Sequence, residues 1–339
     1  MEYLVGLGAT TDDLLEFRDE LPVTASMLAL RPKGARLSLA QLAERGNIEP
    51  DVVANLWRAF GLPYGGLDAP VAYEETADLL TSFQAGLVLF GEDVGMQLAR
   101  MLGELMAGLA DALISAFIVS IGAPASVRDP TLLALAEENA RAAALVEPFM
   151  HALEVLLRHH LELARRPLRD VAAGEAPGYD ARYLAIGFAD LTGSTALAGR
   201  VSFAELGRTL GRFESRAATV VNATGGRIVK LIGDEVMFSA PTVDAACDIA
   251  ITLVGEVEAD DNLPPLRAGV AAGDVLVRYG DCFGPVVNLA ARLVAQAEPS
   301  TVVAPAALAH EIDTTGRFVA SPIGSTPLRG FDEDVGLAL

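Results

Sequence analysis

The spacing of apolar residues divides the chain into two parts with different periods. From about residue 10 to residue 165, apolar positions recur every three or four residues in segments rich in Ala, Leu and Glu, which is the period of a helix. One such segment is LAQLAERGNIEPDVVANLWRAFG, which begins at Leu39, and the last predicted helix runs from Glu147 to Arg165. The pattern predicts an all-α N-terminal domain over residues 1–165.

The periodicity changes after this domain. Residues 166–180 mix Pro, Gly and Ala without a repeat and are interpreted as a linker. From Ala181 onward, short β-like runs alternate with helical ones in the order β-α-β-β-α-β, followed by one more helix and strand. That order is typical of a ferredoxin-like α+β domain, in which an antiparallel sheet carries helices on one face. We therefore predict a second domain over residues 181–339.

The most apolar stretch lies in the helical part, from Leu102 to Ala125. It contains Glu104 and Asp111, so its charge-free part is predicted to be too short to span a bilayer. We interpret it as a buried helix and expect no stable membrane insertion. The first residues, MEYLVGLGAT, lack the basic region and the cleavage site of a signal peptide, which predicts a cytoplasmic protein.

Charge and composition exclude some classes of partner. A formal net charge of −20 repels nucleic acid and anionic lipid at long range, and the sequence has no basic patch large enough to overcome it. The segment from Arg36 to Pro63 also resembles a helix-turn-helix, with Gly46 in the turn and Trp57 on the second helix. The acidic balance favours a core helix pair instead, and nucleic acid is not an expected partner.

A first candidate for chemistry is the segment FADLTGST, in which an apolar strand ends in Asp190 and a small polar turn follows. Such a turn offers backbone N–H groups to phosphate oxygens, and an aspartate at the strand end can hold a divalent cation bound to the same phosphates. By itself the motif is weak, since similar turns also cap helices. The predicted phosphate-binding residues are Leu191, Thr192, Gly193, Ser194 and Thr195.

The ribbon GGRIVKLIGDEVMF, residues 225–238, predicts two strands joined by a tight turn, with Ile228, Lys230 and Ile232 on one face of the first strand. Asp234 follows the turn glycine, so it is a second carboxylate at a strand end. The alternative is an ordinary hairpin residue.

Adjacent strands would bring Asp234 beside Asp190. Two such carboxylates can share a pair of Mg²⁺ or Mn²⁺ ions about 3.5–4 Å apart, in which one ion activates an attacking oxygen and the other holds the leaving group.

The third candidate is DCFGPVVNLAARL, residues 281–293. Asn288 and Arg292 are four residues apart on a predicted helix, so they share one face and can reach a ribose and a phosphate together. A solvated helix face is the alternative.

Together the three segments resemble the catalytic domain of class III adenylate cyclases. FADLTGST is similar to the first metal motif of that family, KLIGDEVMF to its Lys-x-x-x-Asp ribbon, and DCFGPVVNLAARL to its purine and transition-state segment. The resemblance extends from Tyr183 to the end of the sequence. It implies that residues 181–339 are a βαββαβ cyclase domain that converts ATP to 3′,5′-cyclic AMP and pyrophosphate, preceded by a helical regulatory domain.

The resemblance also implies a role for each matching residue. Asp190, Leu191 and Asp234 would bind two Mg²⁺ or Mn²⁺ ions per active site. Lys230 would donate to N1 of adenine and Asp281 would accept from its exocyclic amine, a pattern that guanine reverses.

On the third segment, Asn288 would orient the ribose and Arg292 would neutralise charge on the α-phosphate. The family pattern implies a head-to-tail homodimer with two shared active sites, each taking its metal residues from one chain and its base-reading and transition-state residues from the other. Where the family often has a basic residue for the terminal phosphates, this sequence has Asp274, which leaves Arg278 or an arginine elsewhere as the candidate.

Two other functions stay open at this point. One is a catalytically silent cyclase fold that acts as a nucleotide or lipid sensor, although none of the expected functional positions is lost. The other is a diguanylate cyclase, whose Gly-Gly-Asp-Glu-Phe hairpin resembles IGDEV here without its second glycine.

The N-terminal domain offers only regulatory hypotheses. Its apolar helices from Leu79 to Ile121 are explained either by a packed core or by an enclosed apolar ligand such as a fatty acid. His159 and His160 lie in the last helix before the linker, where protonation near neutral pH would be able to tune activity. The alternative for both is an exposed helix residue.

Overall fold

The computed structural model describes residues 2–6, 9, 11–16, 24, 26, 28, 30, 34–128, 133–164, 181–194, 199–313, 317–327 and 335–338. The chain divides into two compact units, Met1–Arg169 and Asp170–Leu339. The predicted linker over residues 166–180 lies outside the described residues.

The N-terminal unit is mainly helical. Two short strands, β1 (Arg36–Leu37) and β2 (Ala72–Tyr73), pair antiparallel, so the prediction of an all-α domain is not confirmed in full. A π-helix over Ile118–Gly122 continues the long helix Glu92–Phe117. The helices are α1 (Glu2–Gly6), α2 (Thr11–Glu16), α3 (Leu39–Gly46), α4 (Pro50–Ala59), α5 (Thr76–Phe90), α6 (Glu92–Phe117), α7 (Ala123–Arg128), α8 (Leu133–Ala144) and α9 (Val146–Ala164).

The helix pair α3 and α4 belongs to the core of this unit. Ser38 caps α3 through a reciprocal capping box with Gln41. Trp57 on α4 is buried, and its indole N–H donates to the carbonyl oxygen of Pro63 over 2.8 Å. A tryptophan fixed in this way is not available to a ligand, which supports the core helix pair over the helix-turn-helix alternative.

The expectation of a buried apolar helix is wrong. Helix α6 and the π-helix do cover Leu102–Gly122, but within this chain their large apolar side chains, including Leu105, Ile114 and Val119, are exposed. The continuous helix Glu92–Val127 has 36 residues and a mean hydropathy of 2.0 in its most apolar window, which is enough to cross a membrane by length and composition. The prediction that the stretch is too short to span a bilayer is therefore wrong. Length and composition by themselves do not establish a membrane span, because core helices of soluble proteins share them.

The C-terminal unit contains the predicted order β-α-β-β-α-β, followed by a helix and a strand, because the apolar positions that define each period are the ones that enter the core. The strands are β3 (Ala181–Leu191), β4 (Arg227–Ile232), β5 (Glu235–Ala240), β6 (Leu266–Arg278), β7 (Asp281–Phe283), β8 (Val302–Pro305), β9 (Pro322–Thr326) and β10 (Val335–Ala338). The helices are α10 (Phe203–Ala223), α11 (Val243–Glu258), α12 (Pro285–Gln296) and α13 (Ala309–Asp313), with a 3₁₀ turn at Ala306–Leu308. The short strand β7 and the elements after β8, namely α13, β9 and β10, were not predicted.

These strands form one eight-stranded sheet in the order β4-β5-β3-β6-β8-β10-β9, with β7 paired to β6. Strand β3 lies in the centre, antiparallel to both β5 and β6. The β6–β8 pair is parallel. The mixed sheet with a central antiparallel βαββαβ core is the predicted ferredoxin-like architecture.

The helices do not all lie on one face, which corrects the prediction. Ala185 and Ala189 of β3 pack with residues of α10 and α11 in one core cluster. Ile186 and Phe188 of the same strand pack with residues of α12 in a second cluster. Because successive strand residues point to opposite faces, α12 covers the face opposite α10 and α11.

Candidate functional site

The site begins at the end of the central strand. Asp190 is the penultimate residue of β3, and the register places it directly opposite Glu235 of β5 on one side and Arg267 of β6 on the other. Directly opposed residues share a face of the sheet. Asp190 also shares the face of Ile186 and Phe188, so this row of charges lies on the side that α12 covers.

Asp190 and Arg267 form a close ion pair. The Nη2 and Nε atoms of Arg267 donate to Oδ2 of Asp190 over 2.7 and 3.1 Å. The Asp190 and Arg267 side chains are only 19% and 30% exposed, so water screens this pair less than it screens a surface pair. Sequence reasoning missed Arg267; the signal was a lone charge in the apolar strand LRAGVAAG.

Asp234 lies in the β4–β5 turn beside the predicted phosphate loop. Gly233 adopts a φ of +66°, which favours glycine and allows the tight turn. The backbone N–H of Leu191 donates to the Asp234 carbonyl oxygen over 3.2 Å, and the Ser194 hydroxyl donates to its Oδ2 atom. The strand ends thus bring Asp190 and Asp234 to neighbouring positions, as the sequence predicts.

The loop after β3 is tied to the sheet at its start. The backbone N–H and the hydroxyl of Thr192 both donate to the Pro265 carbonyl oxygen, over 2.8 and 2.9 Å. Gly193 adopts a φ of +75°. These features hold the turn from Leu191 to Ser194 beside Asp234, while Thr195, also predicted to bind phosphate, lies outside the described residues.

Glu235 adds a third carboxylate to this end of the sheet. Burial, together with the negative charges of Asp190 and Asp234, raises its pKa from 4.5 to about 7 against the opposing effect of Arg267. The three carboxylates therefore carry more negative charge than the Arg267 guanidinium neutralises. Sequence reasoning assigned Glu235 no role.

The chemistry of these donors fits magnesium or manganese. Both ions prefer carboxylate, carbonyl and water oxygens, and Mg²⁺ is usually held by one or two carboxylates together with substrate phosphates. Among the described residues, no group of three or more His, Cys, Asp or Glu side chains forms a metal cage. Asp190 and Asp234 therefore suit a cation that also binds phosphate oxygens, rather than a closed structural site.

The two residues predicted to read a base are in direct contact. Nζ of Lys230 lies 2.7 Å from Oδ2 and 3.0 Å from Oδ1 of Asp281. Asp281 is oriented further by the backbone N–H of Cys282, which donates to Oδ1 over 2.8 Å. One donor and one acceptor thus lie side by side, with the Lys230 side chain 42% exposed and accessible to a ligand.

The predicted common face of Ile228, Lys230 and Ile232 is wrong for Ile228. A register shift between Ile228 and Lys230 puts Ile228 opposite Phe238 and Lys230 opposite Met237. Ile228 packs into the cluster under α10 and α11, whereas Met237 belongs to the cluster under α12. This β-bulge turns Lys230 toward the α12 face, where Asp281 meets it.

Asn288 and Arg292 lie on α12 with exposed side chains. Within the part of the chain that the structure describes, neither side chain has a hydrogen-bond or ion-pair partner. The helix approaches the sheet at Gly269 so closely that a Cβ there would lie 2.3 Å from the Val294 backbone nitrogen. This close packing fixes the height of α12, and with it both polar side chains, above β6.

Arg278 lies opposite Asp281 in the β6–β7 pair, and not beside the carboxylates of Asp190 and Asp234. Its guanidinium lies over the Tyr279 ring, 4.9 Å from the centroid, at the tip of the β6–β7 hairpin. Arg267 is the arginine that lies beside the carboxylates and the phosphate loop, so it is the stronger candidate for contact with phosphates.

In the N-terminal unit, His159 and His160 are both exposed on α9. A cavity of about 410 Å³ is lined by side chains that include Arg58, Glu92 and Arg100. Charged walls of this kind do not favour a fatty acid, so the cavity gives no support to the predicted apolar ligand.

Comparisons with known proteins fit the geometry of the C-terminal site. The chain is 34% identical over 303 residues to an adenylate cyclase of Streptomyces coelicolor, covering 87% of this chain and 78% of the relative. It is 30% identical over 349 residues to a pH-sensitive adenylate cyclase of Mycobacterium tuberculosis, covering 99% and 86%. No family model matches the chain.

Among solved structures, an adenylate/guanylate cyclase/hydrolase from Silicibacter pomeroyi is 24% identical with a TM-score of 0.43, covering 47% of this chain and 96% of that one. The family assignment stands on the sequence relatives, which extend over both units. The chain belongs to the class III adenylate cyclase family. It is an enzyme of the cyclase type, a phosphorus–oxygen lyase.

Proposed function

We propose that the chain converts ATP to 3′,5′-cyclic AMP and pyrophosphate. The observation that carries this proposal is the contact between Lys230 and Asp281, which presents an N–H donor beside a carboxylate acceptor. The Watson–Crick edge of adenine offers the complement, an acceptor at N1 beside an exocyclic amine. Guanine offers a protonated N1 beside a carbonyl oxygen, so each contact would be unfavourable.

The charges at the strand ends have separate roles in this proposal. Asp190 and Asp234 hold two divalent cations, whose chemistry is to activate the ribose 3′-oxygen and to stabilise the pyrophosphate. Arg267 and the backbone N–H groups of Gly193 and Ser194 bind the terminal phosphates, because a guanidinium fork and N–H groups that have no carbonyl partner among the described residues both match phosphate oxygens.

The helix α12 supplies the remaining groups. Asn288 orients the ribose, and Arg292 neutralises the charge that develops on the α-phosphate as the 3′-oxygen attacks it. Both side chains are exposed and lack partners among the described residues, which supports their use toward a bound nucleotide.

The proposed active unit is a head-to-tail homodimer with two shared sites. Exposed apolar residues border the base-reading pair: Leu231 and Ile232 on β4, and Leu276 and Phe283 on the β6–β7 hairpin. Such a patch beside a polar site supports its coverage by a second copy. Lys230 and Asp234 would then serve different active sites.

Mixing two inactive variants tests the shared site. Asp190→Ala and Arg292→Ala chains should each be inactive alone. A mixture that exchanges subunits should regain about a quarter of wild-type activity, because half of the dimers are mixed and each has one intact site of two. If the mixed dimers form and remain inactive, the shared site is refuted.

We further propose that the N-terminal domain modulates the cyclase in response to pH. One relative named pH-sensitive covers 99% of this chain, including α9 and its exposed His159 and His160. Protonation of these imidazoles adds positive charge to a helix that already carries the Glu154–Arg158 ion pair. The pH profile of a His159→Ala/His160→Ala variant is the test.

A further inference from the structure

We propose that nucleotide-free Asp190 and Asp234 are held by the protein's own phosphate-binding residues, so that ATP must release them before divalent cations bind tightly. The inference rests on the proposed function. It concerns Arg267 and Ser194, which donate hydrogen bonds to the carboxylates of the two aspartates.

Arg267 acts as an internal counter-ion for Asp190. Both of its hydrogen bonds end on the same oxygen, Oδ2, at 2.7 and 3.1 Å, and both side chains are mostly shielded from water. A divalent cation at this carboxylate would lie within a few ångströms of the guanidinium. The repulsion between these charges is substantial in a partly buried site, so the pair opposes cation binding.

Ser194 plays the matching part for Asp234. Its hydroxyl donates to Oδ2 of Asp234, and the Leu191 N–H donates to the Asp234 carbonyl oxygen. Each of the two metal aspartates therefore has a hydrogen-bond partner within this chain.

The partners of the two aspartates are groups that bind phosphate. A guanidinium prefers a bidentate contact with phosphate oxygens, and the hydroxyl of Ser194 can also donate to phosphate. When a triphosphate draws Arg267 and Ser194 away, the released carboxylates, together with Glu235, lose the neighbouring guanidinium of Arg267. The strongly negative cluster then favours divalent cations, so nucleotide and cation bind cooperatively.

Manganese binding to the nucleotide-free full chain tests this exchange. Electron paramagnetic resonance of free Mn²⁺ gives its affinity for the wild type, for Arg267→Gln and for the control Arg212→Gln. Arg212 also pairs with an aspartate, Asp260, but on α10 and without contact to the site. We expect Arg267→Gln to bind Mn²⁺ about tenfold more tightly than the wild type, and Arg212→Gln to match the wild type.

Structural damage would weaken Mn²⁺ binding rather than strengthen it, so the direction of the change separates the proposal from a structural role. Arg267→Lys keeps the charge and should bind Mn²⁺ like the wild type. If Arg267→Gln does not fold, Arg267→Met, which also removes the charge, takes its place. A non-hydrolysable ATP analogue should raise the Mn²⁺ affinity of the wild type more than that of Arg267→Gln.

An unchanged or weaker Mn²⁺ affinity in the folded charge-removing variant would overturn the inference, and so would an equal gain of Mn²⁺ affinity in Arg267→Lys. Cyclic AMP formation by the same wild-type preparation keeps the two proposals apart. If the wild type forms cyclic AMP, only the exchange has failed. If it forms none and Asp190→Asn leaves Mn²⁺ binding unchanged, the proposed function has failed as well.

Discussion

The close approach of α12 to the sheet makes Gly269→Ala a sharp perturbation. An added Cβ would lie 2.3 Å from the Val294 nitrogen, 2.8 Å from the Leu293 carbonyl carbon and 2.9 Å from the Ala290 carbonyl oxygen. All three are backbone atoms of one helix, so no side-chain rotation relieves the clash. The shortest distance falls about 1 Å short of ordinary van der Waals contact, and α12 must move by a similar distance.

The expected cost has two parts. Overpacking of a buried site destabilises by about 1–3 kcal/mol, which lowers the melting temperature of a unit of this size by about 3–10 °C. A displacement of about 1 Å in Asn288 and Arg292 can reduce kcat by about a hundredfold. The base-reading residues lie on strands, so the KM for ATP should change less.

Thermal unfolding and steady-state kinetics with ATP and Mn²⁺ measure both effects. Gly255→Ala is the matched control, because Gly255 is an exposed position on α11 and an added Cβ there meets nothing within 4 Å. That variant should be as stable as the wild type or slightly more stable, since alanine favours a helix by about 1 kcal/mol over glycine. A Gly269→Ala variant with wild-type stability and kcat would refute the account of how α12 is positioned.

Three further perturbations follow from the charges of the protein. Glu235→Gln should raise the free energy of unfolding of the metal-free chain at pH 8 by about 1–3 kcal/mol. The pKa of Glu235 is raised to about 7, so the wild type loses stability as pH rises from 4.5 through 7. Urea unfolding in a chelator should show the difference in stability between the variant and the wild type closing toward pH 5. Lys230→Gln should lower kcat/KM for ATP about 10–100-fold, because a charged hydrogen bond to the base is lost. A kcat/KM equal to that of the wild type would show that Lys230 does not recognise the base. His159→Ala/His160→Ala should flatten the pH profile of cyclase activity, and an unchanged profile would end that hypothesis.

The sequence was sufficient to predict most elements of the C-terminal domain, but not the short strand β7, the elements after β8, or how the elements face one another. The continuous apolar run of β3 and the capping box of α10, where Ser202 pairs reciprocally with Glu205, are local signals. The face of the sheet that α12 covers is set by the path of the connection that leads into this helix. The periodicity of apolar residues does not reveal that path. The sequence also does not reveal the β-bulge before Lys230, since RIVKLI is compatible with side chains that alternate between the two faces along the whole strand.

The site shows the same division between local and long-range information. Asp190, Asp234 and Arg292 lie in short sequence motifs that can be recognised along the chain. Arg267 could not be recognised in this way, because its meaning depends on the β3–β6 register that places it opposite Asp190. The exposure of α6 was also unpredictable, since apolar composition shows that a surface avoids water but does not show what covers it.

The central claim is that this chain makes cyclic AMP at a site that contains Asp234. The most direct measurement is cyclic nucleotide formation by the purified full chain with Mn²⁺ and either ATP or GTP, beside an Asp234→Asn variant. The account predicts cyclic AMP from ATP, far less product from GTP, and none from the variant. Absence of product from ATP, or an Asp234→Asn variant as active as the wild type, would contradict it.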